Sequence, residues 1–363
     1  IVRGLMHTPS VLIADDTKKQ VNDYLAEYSV RRIREAEAIG PSYVRLREAI
    51  DRLIQVGGKR LRPAMVLATF RAYEPHESLK SVLPAAAAQE LLHLSMLVHD
   101  DIIDRDVTRY GIPNVEGSFL SFYEPFIEST EERRHFALSA AILAGDALLA
   151  DAHQLIRSTD RPAALVRQVE DIMSESVFSV IGGELLDTES GILVDETIYP
   201  LDVAQHKTSS YSFVGPLTTG AILAHAPEQD IQLLAQFGTY LGIAYQLQDD
   251  LLGVFGDEQK TGKSTVSDIR EGKRTFMIQE FERLADSDAQ SEFFAIFHRE
   301  DASDAELSRA RTLLDESGAK QATESRIAFY TNECETLLAS LSLEEGRRGV
   351  FYELIQTCVV RES

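Results

Sequence analysis

An all-α fold is what this 363-residue sequence predicts, on three observations. Apolar residues recur at helical spacing through most of the chain. Strand-like alternation is scarce. Glycine and proline punctuate the periodic stretches where helices stop and start, as at Gly57-Gly58 and Pro63. Hydrophobic residues make up 44% of the chain, which suits a globular protein with a sizeable core.

The first clear helix covers 44–56, where Val44, Leu46, Ala49, Ile50, Leu53 and Ile54 mark one face and Gly57-Gly58 is the stop. Pro63 suits the opening turn of the next helix, because its missing N–H is not needed there. One long helix over 84–104 has Leu91, Leu94, Met96, Leu97 and Val98 as core candidates. Further helices are expected over 136–156, 162–185, 198–209, 217–224 and 230–255, and the remainder after 275 also reads helical. Residues 105–134 form a polar and aromatic connection containing Gly111, Pro113, Gly117 and Pro125, and 256–272 a second, charged loop. Connections of this length usually serve function. Without an internal repeat, low-complexity tract or Pro-rich linker, 1–363 reads as a single domain with its motifs in 57–275 and a flexible start over 1–20.

A net charge of −22 argues against binding along a nucleic-acid backbone or to anionic lipid, both of which need a basic face. An anionic substrate would need a local basic pocket within this acidic field. The two cysteines, Cys334 and Cys358, form neither a zinc spacing nor a disulfide framework, so a reducing cytoplasm is expected. The first residues lack the apolar core of a signal peptide. The longest apolar run, 137–150, is interrupted by Asp146, so no membrane-spanning segment is expected.

Two acid clusters stand about 150 residues apart, Asp100-Asp101-Ile102-Ile103-Asp104 and Asp249-Asp250-Leu251-Leu252-Gly253, each following an apolar helical stretch. Carboxylates this close repel one another, and acids at a helix C-terminus oppose the macrodipole. A solvated acidic helix end is the plain alternative for either cluster alone. A hard cation such as Mg²⁺, shared with substrate phosphates, accounts for both. On a helix, Asp100 and Asp104 share a face, and Gln246, Asp249 and Asp250 fall on one side. Their counterpart is Gly57-Gly58-Lys59-Arg60-Leu61-Arg62-Pro63, three cations in a turn whose glycines let backbone approach an anion. Arg109, Lys207-Thr208, Lys263 and Lys273 add polar and cationic groups, and His93 lies two turns before Asp100 on its face. Neither a P-loop nor a dinucleotide-binding glycine pattern is present.

These residues resemble, in consistent order from 57 to 275, the trans-isoprenyl diphosphate synthase (polyprenyl synthetase) family of farnesyl and geranylgeranyl diphosphate synthases. The matching stretches are GGKRLRP (57–63), ELLHLSMLVHDDIID (90–104), LAGDALL (143–149), GGELLD (182–187), KTSSYSF (207–213), YQLQDDLLGVFGD (245–257) and GKSTVSDIREGKRT (262–275). The resemblance implies an all-α isoprenoid synthase fold around a central cavity, and a homodimer. It implies an allylic diphosphate held through Mg²⁺, three ions per site, by Asp100, Asp104 and Asp249 with Asp101 and Asp250 in support. Arg109, Lys207 and Lys263 would contact that diphosphate, and Lys59, Arg62 and His93 would hold isopentenyl diphosphate. Thr208 and Gln246, with Lys207, match positions beside the developing carbocation, and Lys273 a basic position in a closing loop. The implied activity is prenyl transfer: Mg²⁺-assisted ionisation of the allylic diphosphate, attack by isopentenyl diphosphate, then proton loss.

Two departures from the family pattern stand out. Gly253 replaces a third aspartate, and Tyr110 replaces a second arginine after Arg109; the 118–134 connection is also long. Product length is expected to follow the helix before Asp100, where small Ser95 and flexible Met96 permit elongation to a twenty-carbon product and Leu91 and Leu92 set the floor. The competing readings are a catalytically weak partner subunit of a heteromeric synthase, suggested by Gly253 and Tyr110, and a terpene cyclase. GGKRLRP argues against the cyclase, which has no second diphosphate to hold.

Overall fold

The computed structural model describes residues 15–192, 198–256, 269–270, 272–299 and 301–359. The protein is all-α; among the described residues the one sheet is a two-stranded hairpin. The chain divides into two compact units, Ile1–Met173 with Pro216–Ala226 and Ser174–Gly215 with Pro227–Ser363.

The first unit holds α1 (Asp15–Glu37), α2 (Pro41–Val56), α3 (Leu61–Tyr73), α4 (Leu83–Ile103), α5 (Val115–Tyr123) and α6 (Thr130–Arg157), together with the first part of α7 (Ala163–Ile192) and most of α9 (Gly215–Leu223). The pairing of α4 with α6 is its centre. Ala85, Ala86, Ala87 and Ala88 keep the start of α4 slim, and Leu91, Leu92 and Leu94 fill the core beyond them. Glycine permits close approach between helices at Gly145 and Gly220. A Cβ at Gly145 of α6 would lie 2.1 Å from His99 Nε2, and one at Gly220 of α9 would lie 2.5 Å from the Val66 carbonyl of α3. Buried Asp151 of α6 accepts from Arg47 of α2 at 2.5 Å and from Arg32 of α1 at 3.0 Å, tying three helices. α6 has the length and apolarity of a membrane span. Its buried Ala137, Ala141, Ala144, Leu148, Leu155 and Ile156, and that ion pair, make it a core helix of this unit.

The second unit holds the rest of α7, α8 (Pro200–Val203), a π-helical segment (Ala204–Val214), α10 (Glu228–Phe255), α11 (Phe276–Leu284), α12 (Ser287–Phe294), α13 (Asp304–Glu316), α14 (Ala319–Ala339) and α15 (Glu345–Val359). α10 is its hub, packed on the π-helical segment and on α14. A second core gathers Phe281, Phe293, Leu307, Leu313 and Leu314, with the Phe281 and Phe293 rings 4.6 Å apart. Buried Asp230 in the first turn of α10 accepts from Ser342 Oγ at 2.6 Å. Cys334 and Cys358 are free and buried, and burial pushes the Cys334 thiol up to about 12.

The helices over 44–56, 84–104, 136–156, 162–185, 217–224 and 230–255 all appear, most of them longer than expected, and in α6 a capping residue accounts for the added length. Ser129 is that cap, accepting from the Glu132 N–H at the head of α6. Three readings need correction. The flexible start gives way from Asp15, where the chain is helical; residues 1–14 lie outside the described residues. The 105–134 connection is not a loop but a hairpin followed by α5, because Asn114 caps that helix by accepting from the Gly117 N–H at 2.9 Å. The helix over 198–209 becomes a short α-turn and then eleven residues of π-helix.

Candidate active site

In the first unit the acid cluster closes α4. The helix ends at Ile103, Asp104 is its exposed C-cap, and Asp100 is half-buried. Asp101 is buried and held by the chain: Arg109 Nε donates to its Oδ1 at 2.7 Å, while Arg109 Nη2 reaches Asp100 Oδ2 at 3.5 Å. Burial raises the Asp101 carboxyl above its ordinary range, against the opposing hydrogen bond and charge of Arg109 and a hydrogen bond from Asn114. Burial pulls Arg109 down, but its pairing with Asp101 outweighs this and leaves it raised. The two form a salt bridge.

Arg109 owes its place to the hairpin, in which β1 (Thr108–Arg109) pairs with β2 (Ile112–Pro113). The connecting pair, Tyr110 and Gly111, has φ of +54° and +77°. Positive φ at both positions is the turn that matches strand twist in a two-residue hairpin. Glycine takes that conformation freely, and tyrosine takes it at a cost of roughly 1–2 kcal/mol. The turn brings the Tyr110 hydroxyl to 4.0 Å from where a Cβ of Gly58 would stand. The residue that replaces the family's second arginine therefore lies over the basic turn.

That basic turn separates its three cations. Lys59 is exposed and Arg62 half-buried, whereas Arg60 is buried in the left-handed conformation at φ +54°. Arg60 donates to Glu90 Oε1 at 2.6 Å, to Asn22 Oδ1 at 2.8 Å and to the Ile54 carbonyl. Burial, then the guanidiniums of Arg62, Arg109 and Arg60, hold His93 well below its ordinary range. His93 is thus neutral at pH 7 among three arginines, the first of which, Arg62, shares its expected role.

In the second unit the π-helical segment presents Lys207 and Thr208, and glycines explain how. A Cβ at Gly183 of α7 would stand 2.2 Å from the Lys207 backbone nitrogen, and one at Gly242 of α10 would stand 2.5 Å from Ser209 Cα. The segment is pressed between helices where no side chain fits. Gly183→Ala is expected to destabilise this unit by about 1–3 kcal/mol, because backbone cannot step aside. Chemical denaturation checks it, and an unaltered midpoint refutes the clamp.

Lys207 Nζ donates to Glu184 Oε1 at 3.1 Å and to Asp187 Oδ2 at 2.5 Å, the two acids of GGELLD. Thr208 Oγ1 donates to Gln246 Oε1 at 2.7 Å, and Gln246 Nε2 donates to Asp250 Oδ1 at 2.8 Å. Asp249 is exposed. Unlike the first cluster, the second does not end its helix: α10 continues to Phe255, with Gly256 as its cap. Lys263 and Asp257 lie outside the described residues, and Lys273 is exposed just before α11.

The structure thus brings Asp100, Asp101 and Arg109 together, sets His93 among Arg62, Arg109 and Arg60, and joins Thr208, Gln246 and Asp250. Sequence reasoning missed the anchoring role of Arg60 and the pairing of Lys207 with Glu184 and Asp187. A glycine pair followed by charged residues was the available signal in both places. Ser95 also needs correction as a product-length wall. It is fully buried, and its hydroxyl donates to the Gly145 carbonyl at 2.8 Å, so its small size serves the contact of α4 with α6. Met96 is partly exposed.

Among the described residues no three His, Cys, Asp or Glu side chains converge into a self-sufficient metal cage. Exposed hard oxygen donors such as Asp104 and Asp249 fit Mg²⁺ of the kind that takes its remaining ligands from water and substrate phosphate.

Residues 44–314 match the family model described as polyprenyl synthetase. A geranylgeranyl diphosphate synthase of Sulfolobus acidocaldarius is 32% identical over 323 residues, covering 86% of this chain and 92% of that protein. A geranylfarnesyl diphosphate synthase of Aeropyrum pernix is 31% identical over 324 residues, covering 87% and 94%. The crystal structure of a geranylgeranyl pyrophosphate synthase of Corynebacterium glutamicum, complexed with isoprenyl diphosphate and magnesium, superposes with a TM-score of 0.82 at 30% identity, covering 94% of this chain and 99% of that one. The match to the family model takes in both acid clusters and the basic turn, and this chain belongs to the polyprenyl synthetase family of prenyltransferases.

Proposed function

We propose that the protein condenses isopentenyl diphosphate with an allylic diphosphate, extending it by five carbons per cycle, with geranylgeranyl diphosphate as the main product. The observation that supports this reading lies in the first unit, where Arg109 bonds Asp101 and Asp100 at the acid cluster while Arg62, Arg109 and Arg60 surround a neutral His93. An acid platform suits metal, and a cation group suits a second diphosphate held directly.

Asp100, Asp104 and Asp249 would hold Mg²⁺, three ions per site, with Asp101 and Asp250 in support as partners of Arg109 and Gln246 rather than as metal ligands. When bound, Mg²⁺ neutralises charge on the leaving diphosphate and so lowers the ionisation barrier. Arg109, Lys207 and Lys263 bind the allylic diphosphate. Lys207 must first exchange its two carboxylates for phosphate oxygens. Lys59, Arg62 and His93 bind isopentenyl diphosphate, His93 as a neutral hydrogen-bonding group and Tyr110 as a hydroxyl in place of a guanidinium. Thr208 and Gln246 offer oxygen atoms to the developing cation, and Lys273 closes over the bound substrates. The family model runs through both units, which supports treating them as one catalytic domain; a homodimer completes the reading, and two buried free thiols suit a reducing cytoplasm.

Incubating the purified chain with Mg²⁺, isopentenyl diphosphate and dimethylallyl, geranyl or farnesyl diphosphate tests it. Dephosphorylated products are expected to run as geranylgeraniol. No elongation from any primer would instead favour a partner subunit. For product length, Met96 lies about 6 Å below Asp100 along α4. Met96→Phe is expected to shift the main product to fifteen carbons, whereas Ser95→Phe should lower the unfolding temperature by forcing a ring against the Gly145 carbonyl. An unchanged product distribution in Met96→Phe would remove this residue from the wall.

A further inference from the structure

We propose that Asp250 is a positioning residue: it sets the orientation of the Gln246 amide and, through it, the direction in which the Thr208 hydroxyl presents its lone pairs. The inference deepens the proposed prenyl transfer and rests on it for the role of Thr208.

The argument starts from the asymmetry of an amide. Gln246 can present either Nε2 or Oε1 to a neighbour, and the two ends demand opposite partners. An ionised carboxylate only accepts hydrogen bonds. Asp250 Oδ1, 2.8 Å from Gln246 Nε2, therefore selects the amide's donor end, because the flipped amide would set oxygen against oxygen. Oε1 is then fixed on the other side, where Thr208 Oγ1 donates at 2.7 Å. A threonine hydroxyl has one proton. Once that proton is committed to Gln246, the oxygen has only lone pairs left to offer. Without Asp250 the amide is free to turn, and the hydroxyl proton can point at the substrate instead.

The geometry is built along one face of α10. Gly242, Gln246 and Asp250 follow at intervals of four. Gly242 admits the π-helical segment at Ser209, Gln246 bonds the neighbouring Thr208, and Asp250 holds Gln246. A fixed lone pair aimed at developing positive charge stabilises it without reorganisation, which is the form of electrostatic catalysis that mutation exposes most strongly.

The test compares two variants. Asn keeps an acceptor oxygen for Gln246 Nε2, whereas Leu has none. Asp250→Leu is expected to lower kcat by about 100-fold with little change in either KM, the size typical of one lost preorganised group. Asp250→Asn should recover activity to within about tenfold of the unaltered chain, because the hydrogen-bond chain survives. Calorimetric titration with Mg²⁺ and inorganic diphosphate should give the same affinity in both variants as in the unaltered protein. The Asp250→Leu, Thr208→Val double variant should lose no more than the worse single variant, since both act through one hydroxyl. The proposal is overturned if Asn is as damaging as Leu with weakened Mg²⁺–diphosphate binding in both, which would make Asp250 a metal ligand. Additive losses in the double variant overturn it as well. If the unaltered chain shows no turnover, the synthase reading fails by itself. The orientation is then read from the Gln246 side-chain amide protons by nuclear magnetic resonance. Their exchange protection must fall in Asp250→Leu and hold in Asp250→Asn; equal protection in both overturns the proposal.

Discussion

Asp100→Ala is expected to reduce turnover by about 10³-fold or more while leaving the protein as stable as before or slightly more stable. The two halves of this result come from the same fact. Asp100 stands in the last turn of α4, where the orphan carbonyls of the helix end carry partial negative charge. An acid there is a liability to the helix of roughly 0.3–1 kcal/mol. Arg109, whose Nη2 reaches Asp100 at 3.5 Å, makes its closer bond to Asp101. The helix end gains nothing from the Asp100 carboxylate, so its removal is expected to leave the melting temperature near that of the unaltered chain. Asp104→Ala should behave alike, since Asp104 is exposed at the cap. Asp101 is a useful contrast. Its loss would leave Arg109 without its buried partner and should cost stability as well as activity. Steady-state assays and thermal unfolding on the same preparations decide the matter. Turnover within tenfold of the unaltered chain would remove Asp100 from the metal platform, and a large drop in melting temperature would make its role structural.

What sequence reading reached, and where it stopped, follows from the range of the interactions concerned. Helix periodicity is local, so α2, α4, α6, α7, α9 and α10 were legible, as were Asp100 and Asp104 sharing a face. The π-helical segment was not, because its cause lies in Gly183 and Gly242, distant in sequence, whose bare backbones press on it. The hairpin at 108–113 hid behind tyrosine in a turn position that ordinarily calls for asparagine or glycine. Motif positions fared better than motif roles. GGKRLRP showed three cations, but only the structure separates exposed Lys59 and half-buried Arg62 from buried Arg60. GGELLD showed two acids, but their common partner Lys207 is twenty or more residues away. Ser95 was read as small for the sake of a substrate, and it is small for the sake of Gly145.

Arg60→Met is expected to destabilise the protein by about 3–5 kcal/mol, the cost of leaving a buried charge without its partner. The guanidinium and the Glu90 carboxylate are 3% and 5% exposed, so neither can turn to water when the other is lost. Each of the remaining donors of Arg60 closes a different gap. Nε meets Asn22 of α1, and Nη2 meets the Ile54 carbonyl near the end of α2, one of the orphan acceptors a helix C-terminus leaves behind. Gly57 belongs to the same device, because a Cβ there would stand 2.7 Å from Arg60 Nη2. One side chain therefore fastens α1, α2 and α4 beside the turn that carries Lys59 and Arg62. The double variant Arg60→Met, Glu90→Leu should recover most of the lost stability, since apolar replacement of a whole buried pair is often neutral. Denaturant unfolding measures both. A single-variant loss below about 1 kcal/mol would mean that water or another cation reaches Glu90. A double variant no better than the single would show that the cost lies in the contacts to Asn22 and Ile54 instead. Kinetics complete the distinction between the three cations: below its melting temperature, Arg60→Met should affect the KM for isopentenyl diphosphate less than Lys59→Met or Arg62→Met. The reverse order would return Arg60 to the substrate.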